Sequence, residues 1–262
     1  MVDLCIGGGS FKGLAFLGAL QYLYCKGYID HIQNFYGCSV GSIIGILYII
    51  GFKPTEILEE LLIIEFSKFW KPNLKTLDEK YAILGTDFFI YLTELFLKKE
   101  NKDITIKEFN KKYITNINLL AFNVTAKKSV NFNEQEYQNI KVIDAVKASC
   151  SIPIIFPPIK INEEYYVDGC LSGSMLHTEK IKGYTIKLSP NEFIFHSDTF
   201  TDYVMQILTL ATIKKTSTDN RNTIKIKVMK EYQSRLNFSN LTNNDKIILY
   251  YSGIKQAAET IP

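Results

Sequence analysis

The chain has 262 residues, 47% hydrophobic and 22% charged, with 30 Lys and Arg against 27 Asp and Glu for a net charge of +3. That length buries a core without staples, and the ordinary composition excludes a fibrous, low-complexity or disordered chain. The charge is small and its lysines alternate with glutamates instead of forming a stripe, which argues against a nucleic-acid partner.

Val2 to Ile6 reads as a short buried strand that runs straight into Gly7, Gly8 and Gly9. Helical periodicity follows from Leu14 to Cys25, with Gly27 as a stop. Ile32 to Tyr36 is a second strand, and Val40 to Ile50 is a helix apolar nearly all round, hence buried. Pro54 to Phe69 reads as a surface helix with Pro54 and Thr55 at its start. Trp70 to Thr86, with Pro72 and Gly85, reads as a loop-rich cap, and Asp87 to Lys99 as an amphipathic helix. Leu119 to Ala126 and Lys128 to Phe132 alternate like paired strands. Val142 to Ser149 is a short helix closed by the loop of Pro153, Pro157 and Pro158. Lys160 to Val167 alternates toward a strand that ends at Asp168. Gly183 to Leu188 and Thr223 to Met229 are late strands, with a helix from Tyr203 to Ile213 between them. Asn244 to Ala258 closes the chain as a helix, with asparagine and aspartate available to cap it. Strands mixed with helices, without an internal repeat, predict a layered α/β fold in a single domain, 1–262.

The five cysteines, Cys5, Cys25, Cys38, Cys150 and Cys170, lie singly with no CxxC pair. This argues against a disulfide framework or a zinc cluster and suits a reducing compartment. The first residues lack a basic stretch followed by an apolar run, and the longest apolar run, Ile43 to Ile50, falls short of the roughly 20 residues of a membrane span. The expectation is a cytoplasmic protein.

Two glycine turns carry the chemistry. In CIGGGSFKGLAFLGAL, Cys5 to Leu20, a strand, a glycine loop and a helix present bare backbone N–H groups at a helix N-terminus. A phosphate-binding P-loop needs Gly-Lys followed by Ser or Thr, but here Lys12 precedes Gly13. A dinucleotide fingerprint is broken at Ser10, and Asp30 is a weak candidate for its ribose acid. An oxyanion hole built from Gly8, Gly9 and Ser10 remains, beside a plain tight turn with no ligand. In GCSVG, Gly37 to Gly41, Ser39 has the spacing of a nucleophile elbow, in which flanking glycines keep side chains clear of a sharp strand-to-helix turn. The following helix favours negative charge at the reacting oxygen. The bland alternative is a small residue in a glycine-rich bend.

The partner separates these readings. The order Ser39, Asp168, then His177 or His196 matches the α/β-hydrolase order, yet the elbow here follows a single strand and helix, and no motif supports His31, His177 or His196. The segment ASCSIPIIFPPIKINEEYYVDGC, Ala148 to Cys170, delivers Asp168 at a strand end, followed by Gly169. Asp-Gly alone reads as a hairpin turn. The apolar run Ile152 to Phe156 and its prolines, however, would wall the carboxylate, raise its pKa and suit it to take a hydroxyl proton directly.

GGGSFKG, GCSVG, ASCSIPIIFPP and VDG, in this order over about residues 2–175, resemble the patatin-like phospholipase family. The closing NNDKIILYYSGIKQAAETI is similar to the end of many members. The resemblance implies a three-layer α/β/α sandwich and hydrolysis of phospholipid or other lipid acyl esters through an acyl-enzyme. It implies Ser39 as nucleophile, Asp168 as general base of a Ser–Asp dyad, and the Gly8, Gly9 and Ser10 backbone as oxyanion hole. Lys12 stands where the family has arginine or lysine, and Gly13, Gly37, Gly41 and Gly169 complete the motifs. No cofactor and no metal is implied. Transient contact with a membrane surface is implied, through Phe66, Phe69 and Trp70 or the segment Phe88 to Leu97 as a cap or membrane-contacting face, although as plain sequence these read more readily as core. A lipid acyltransferase and a non-catalytic lipid-binding module are the alternatives. The chain departs from the family at Ser10, on the third glycine, and at Cys170, which replaces a small residue and reads as a packed thiol.

Overall fold

The computed structural model describes residues 1–69, 71–172, 181–189, 221–229, 232 and 241–262. Trp70, His177, His196 and the helix expected from Tyr203 to Ile213 lie outside the described residues.

Each glycine turn follows a strand of buried side chains. β1 (Val2–Ile6) leads into the first loop and α1 (Gly13–Cys25). β2 (Ile32–Cys38) continues two residues past the expected Tyr36, up to the elbow, and α2 (Val40–Ile49) follows it, buried along Gly41, Ser42 and Ile44 to Leu47. α3 (Pro54–Ile63) stops well short of Phe69, because Ile64 turns extended at φ −72° and ψ 126°. The carbonyls of Leu61 and Ile64 instead accept from the buried Lys246 ammonium, each at 2.9 Å, which supplies the bonds that another helical turn would have made. A 3-10 turn at Phe66–Lys68 follows. The stretch expected as a loop contains α4 (Leu74–Lys80), capped by the Asn73 side chain. α5 (Asp87–Leu97) is present as expected, and α6 (Ile106–Tyr113) is additional, started by a reciprocal Thr105–Glu108 capping box.

β3 (Asn116–Asn123) and β4 (Lys128–Phe132) pair antiparallel, followed by α7 (Glu134–Tyr137) and α8 (Val142–Cys150). The single strand expected from Lys160 is a hairpin, β5 (Ile159–Ile161) and β6 (Glu164–Asp168). It turns at Asn162 and Glu163, whose φ of 48° and 64° are the two left-handed residues a tight hairpin needs. β7 (Gly183–Leu188), β8 (Thr223–Ile226) and α9 (Asn243–Thr260) complete the described elements, with Thr242 and Asp245 forming the α9 capping box.

The sheet runs β5-β6-β3-β2-β1-β7-β8, with β4 added on β3. β1, β2, β3, β7 and β8 are parallel, and β4, β5 and β6 run against β3 or one another. α1 and α9 pack together over β7 and β8, while α2 and α8 pack on β1, β2, β3 and β6. Helices on both sides make this a three-layer α/β/α sandwich, with Phe16, Leu17, Phe35, Ile117 and Ile186 fully enclosed between the layers. Among the described residues, no helix is long and apolar enough to cross a membrane.

One register detail positions the site. β2 pairs with β3 from Asn116 to Leu120, and β4 holds the opposite edge from Leu119 to Asn123. β6, paired at Ala121 to Asn123, must therefore lie on the same edge as β2, in line beyond it. Cys38 stands opposite Leu120 and Asp168 opposite Ala121, so the two strands meet end to end.

Candidate active site

Ser39 is the residue between β2 and α2, with φ 53° and ψ −129°. That backbone costs an L-residue on the order of 1–3 kcal/mol and persists only where the surroundings impose it. They do so through its main chain. The Ser39 N–H donates to Ser149 Oγ at 3.0 Å, and its carbonyl accepts from the Ser42 N–H at 2.8 Å and the Cys150 thiol at 3.0 Å. Ser149 is fully buried, donates to the Leu120 carbonyl at 2.6 Å and meets Ser42 Oγ at 2.8 Å.

Asp168 ends β6 and is 3% exposed. Its N–H donates to the Ser151 carbonyl at 2.8 Å, and its Oδ1 accepts from the Cys170 N–H at 2.8 Å. Oδ2 is buried without a hydrogen bond of ordinary geometry, although the Ser39 hydroxyl and the Cys170 thiol stand near enough to favour the charged carboxylate. Burial outweighs them and pushes the Asp168 pKa up to about 6. Gly169 opens a 3-10 turn, Gly169–Ser172, so Asp-Gly is no hairpin here.

Ser149, Cys150 and Ser151 thus hold both arms, the first two gripping Ser39 and the third gripping Asp168. As plain sequence the prolines and apolar run beside this block read as a wall, and the clamp itself is hidden because its signal is only a run of small polar residues at a helix end. Ser149→Ala orphans a buried N–H and a buried carbonyl, so stability should fall by about 2–4 kcal/mol in urea unfolding. If the strain at Ser39 is held elsewhere, the variant will lose far less.

The first glycine loop passes directly beside these groups. A Cβ on Gly8 would fall on Cys170 Sγ and lie 3.3 Å from Ser39 Cβ. Gly7 is tied to the sheet by its N–H to the Ile186 carbonyl at 2.9 Å, whereas the N–H groups of Gly8, Gly9 and Ser10 find no acceptor among the described residues. Ser10 has φ 52°, the left-handed conformation that glycine adopts without penalty. Ser10→Gly should therefore raise stability by about 0.5–1 kcal/mol, read from the urea midpoint, and a drop would mean that the serine side chain holds the loop. Lys12 is half-buried, and desolvation holds its ammonium below the usual lysine pKa. Gly13, Gly37 and Gly169 pack against Val40, Ser42 and Leu120, which draws the separate motifs onto one spot.

An apolar pocket opens at Ser39 and Ser10, lined by Phe66, Phe69, Phe88 and Phe156 among others. The Phe88 and Phe156 rings stack at 5.5 Å, and Phe69 meets Phe88 edge-on at 6.1 Å. Phe66, Phe69 and Phe88, read from sequence as cap or core, line the site together with Phe156 of the apolar wall. A larger cavity of about 680 Å³ lies at the opposite, amino-terminal ends of the parallel strands, beside Met1, His31 and Thr115. It lacks the elbow serine, and ligands of α/β sheets bind at the carboxyl ends of strands, which favours the smaller pocket as the candidate site. His31 is separated from Ser39 by the length of β2, about 25 Å at the usual strand rise. Among the described residues, the gathered metal-ligand atoms are those of Cys38, Asp168 and Cys170.

A mixed sheet between helices, with a strained serine elbow at the carboxyl ends of its parallel strands, defines the class: an α/β/α protein of patatin-like fold. The chain belongs to the patatin-like phospholipase family, whose model matches residues 4–178. Probable lipid hydrolase 463L of Invertebrate iridescent virus 6 is 35% identical over 173 residues, 63% of this chain and 58% of that protein. Uncharacterized protein R571 of Acanthamoeba polyphaga mimivirus is 28% identical over 174 residues, 64% of this chain and 57% of that one. The chain thus spans less than two thirds of the length of these relatives. Among solved structures, VipD from Legionella pneumophila has a TM-score of 0.56 at 15% identity, over 99% of this chain and 66% of its own. The type III effector protein ExoU has 0.55 at 12% identity, over 99% and 52%. At these identities the likeness is one of fold.

Proposed function

We propose that the chain is a lipid acyl hydrolase working through a Ser39–Asp168 dyad. The observation that carries this reading is the end-to-end meeting of β2 and β6, which sets an elbow serine beside a buried carboxylate with an unused oxygen. Membership of the phospholipase family and a relative named as a probable lipid hydrolase support the substrate class.

Asp168 takes the Ser39 proton as Oγ attacks the ester carbonyl of a phospholipid or other lipid. The oxyanion forms against the loop N–H groups of Gly8, Gly9 and Ser10, which have no competing acceptor among the described residues and need no reorganisation. As the carbon–oxygen bond breaks, the leaving alcohol receives the proton from Asp168, and the acyl group stays on Ser39. Water then gives a proton to Asp168, attacks the acyl carbon and releases the fatty acid, and the proton returns to Ser39. The acyl chain enters the pocket of Phe66, Phe69, Phe88 and Phe156, each buried CH₂ contributing about 0.8 kcal/mol. Transient docking on a lipid surface brings the ester to that mouth.

A fluorophosphonate probe should label the wild-type chain once and spare Ser39→Ala, and a lipid panel should yield free fatty acid with the wild type alone. Equal labelling of Ser39→Ala, or a wild type that neither labels nor hydrolyses, removes the proposal.

A further inference from the structure

Cys38 precedes the elbow serine and Cys170 follows Asp168 by two residues, so the end-to-end strands also bring two thiols together. Their sulfurs lie 3.2 Å apart, and both cysteines are free. The ligand atoms of Cys38, Asp168 and Cys170 all lie within 4.8 Å of one another. Cys38 is 2% exposed and Asp168 3%, while Cys170 is half-buried and gives the way in. The pair has a feature that neighbouring thiols alone lack: the adjoining carboxylate oxygen, Asp168 Oδ2, is enclosed and without a hydrogen-bond partner of ordinary geometry. Gly8 lets the Cys170 sulfur sit directly against the loop backbone, since a Cβ there would fall 2.3 Å from it. The third nearby thiol, Cys150, is engaged with the Ser39 carbonyl and stands outside the trio.

We propose that Cys38, Cys170 and Asp168 form a site for a soft divalent cation of the zinc class, and that its occupation shuts the catalytic dyad. Zinc takes sulfur at about 2.3 Å and carboxylate oxygen at about 2.0–2.2 Å in a tetrahedron, so the two sulfurs need part by only about 0.5 Å. The fourth position falls to water or to the Ser39 hydroxyl, which reaches the same carboxylate. Calcium and magnesium demand six or more oxygens and are refused by two sulfurs. On binding, each thiol gives its proton to solvent and two sulfur–metal bonds form, while Asp168 gives up the oxygen that would take the Ser39 proton. The binding stands on the donor set alone. Only the inhibition rests on the proposed function.

Cobalt(II) titration of the full chain under a non-thiol reductant reads the site directly, through its thiolate charge-transfer band. The band should saturate at one metal per chain, disappear on adding zinc, and survive in Ser39→Ala and in Cys25→Ser, which alters an exposed cysteine. Cys38→Ser and Cys170→Ala should each weaken binding by at least about tenfold. Circular dichroism verifies both folds, and Cys170→Ala decides alone if Cys38→Ser does not fold. A missing band, or one unchanged in Cys170→Ala, overturns the site. Where the band appears, zinc should suppress fatty-acid release by the wild type and spare Cys170→Ala relative to its own metal-free rate. A bound wild type that hydrolyses at full rate overturns the inhibition. A chain that binds cobalt yet hydrolyses no lipid under a chelator refutes the hydrolase reading and leaves the site standing.

Discussion

Asp168→Asn should lower lipid-ester hydrolysis by about a thousandfold while leaving the fold at least as stable as before. The two halves of that result have one cause. Asp168 is enclosed, and burial pushes its pKa up to about 6 from an ordinary 3.8. A base must be unprotonated, so wild-type hydrolysis under a chelator should rise about tenfold per pH unit below 6 and level off above it. For stability the sign runs the other way. A carboxyl whose folded pKa is raised favours the fold when protonated, and that contribution is lost as pH rises from about 4 to about 6. Asparagine resembles the protonated form at every pH and still accepts from the Cys170 N–H. The variant should therefore gain stability above pH 6, on the order of 3 kcal/mol at most. If the two groups act on one proton as proposed, Ser39→Ala combined with Asp168→Asn should be no slower than Ser39→Ala alone. An Asp168→Asn protein that keeps a tenth of wild-type turnover, or a wild-type rate flat from pH 5 to 7, counts against Asp168 as base.

What could be read from residues alone follows contact distance along the chain. β1, the glycine loop and α1 are contiguous, as are β2, the elbow and α2, and their glycine and apolar patterns specify them locally. The stop of α3 at Ile63 is set by Lys246, more than 180 residues away, so no local pattern marks it. α6 had a local signal, Thr105 and Glu108 three apart, but with eight residues its periodicity is too short to stand out. The turn at Asn162 and Glu163 was hidden because its apolar alternation runs on through the hairpin. Asp168 was visible as a candidate from its motif, but its meeting with Ser39 depends on two strands sharing one edge of β3. The Cys38–Cys170 contact arises in the same way. Their separation of 132 residues conceals it from any spacing rule, which is why isolated cysteines read as unrelated thiols.

Gly41→Ala should damage both the fold and the elbow through a single methyl group. Gly41 sits in the first turn of α2, and a Cβ there would fall on the Ile6 carbonyl and within 2.6 Å of the Gly7 oxygen. Both are main-chain atoms at the end of β1, and Gly7 is bonded in turn to the Ile186 carbonyl, so neither can swing aside as a side chain would. The helix must move instead, and it carries the elbow with it. Steric insertion of this kind costs about 3 kcal/mol or more, a large part of the 5–15 kcal/mol that holds a domain together. A shift of about 1 Å between the elbow and the loop of Gly8 would separate the attacking oxygen from the N–H groups proposed to receive the oxyanion, lowering turnover by about a hundredfold even in molecules that stay folded. Gly85→Ala is the control, because nothing lies within 4 Å of its Cβ and its φ is not left-handed. It should stay within about 0.5 kcal/mol of wild type. Urea unfolding and probe labelling of both variants distinguish the cases. If Gly41→Ala labels and unfolds like Gly85→Ala, the end of β1 yields more readily than its hydrogen bonds imply, and the glycine of the elbow is then no steric requirement.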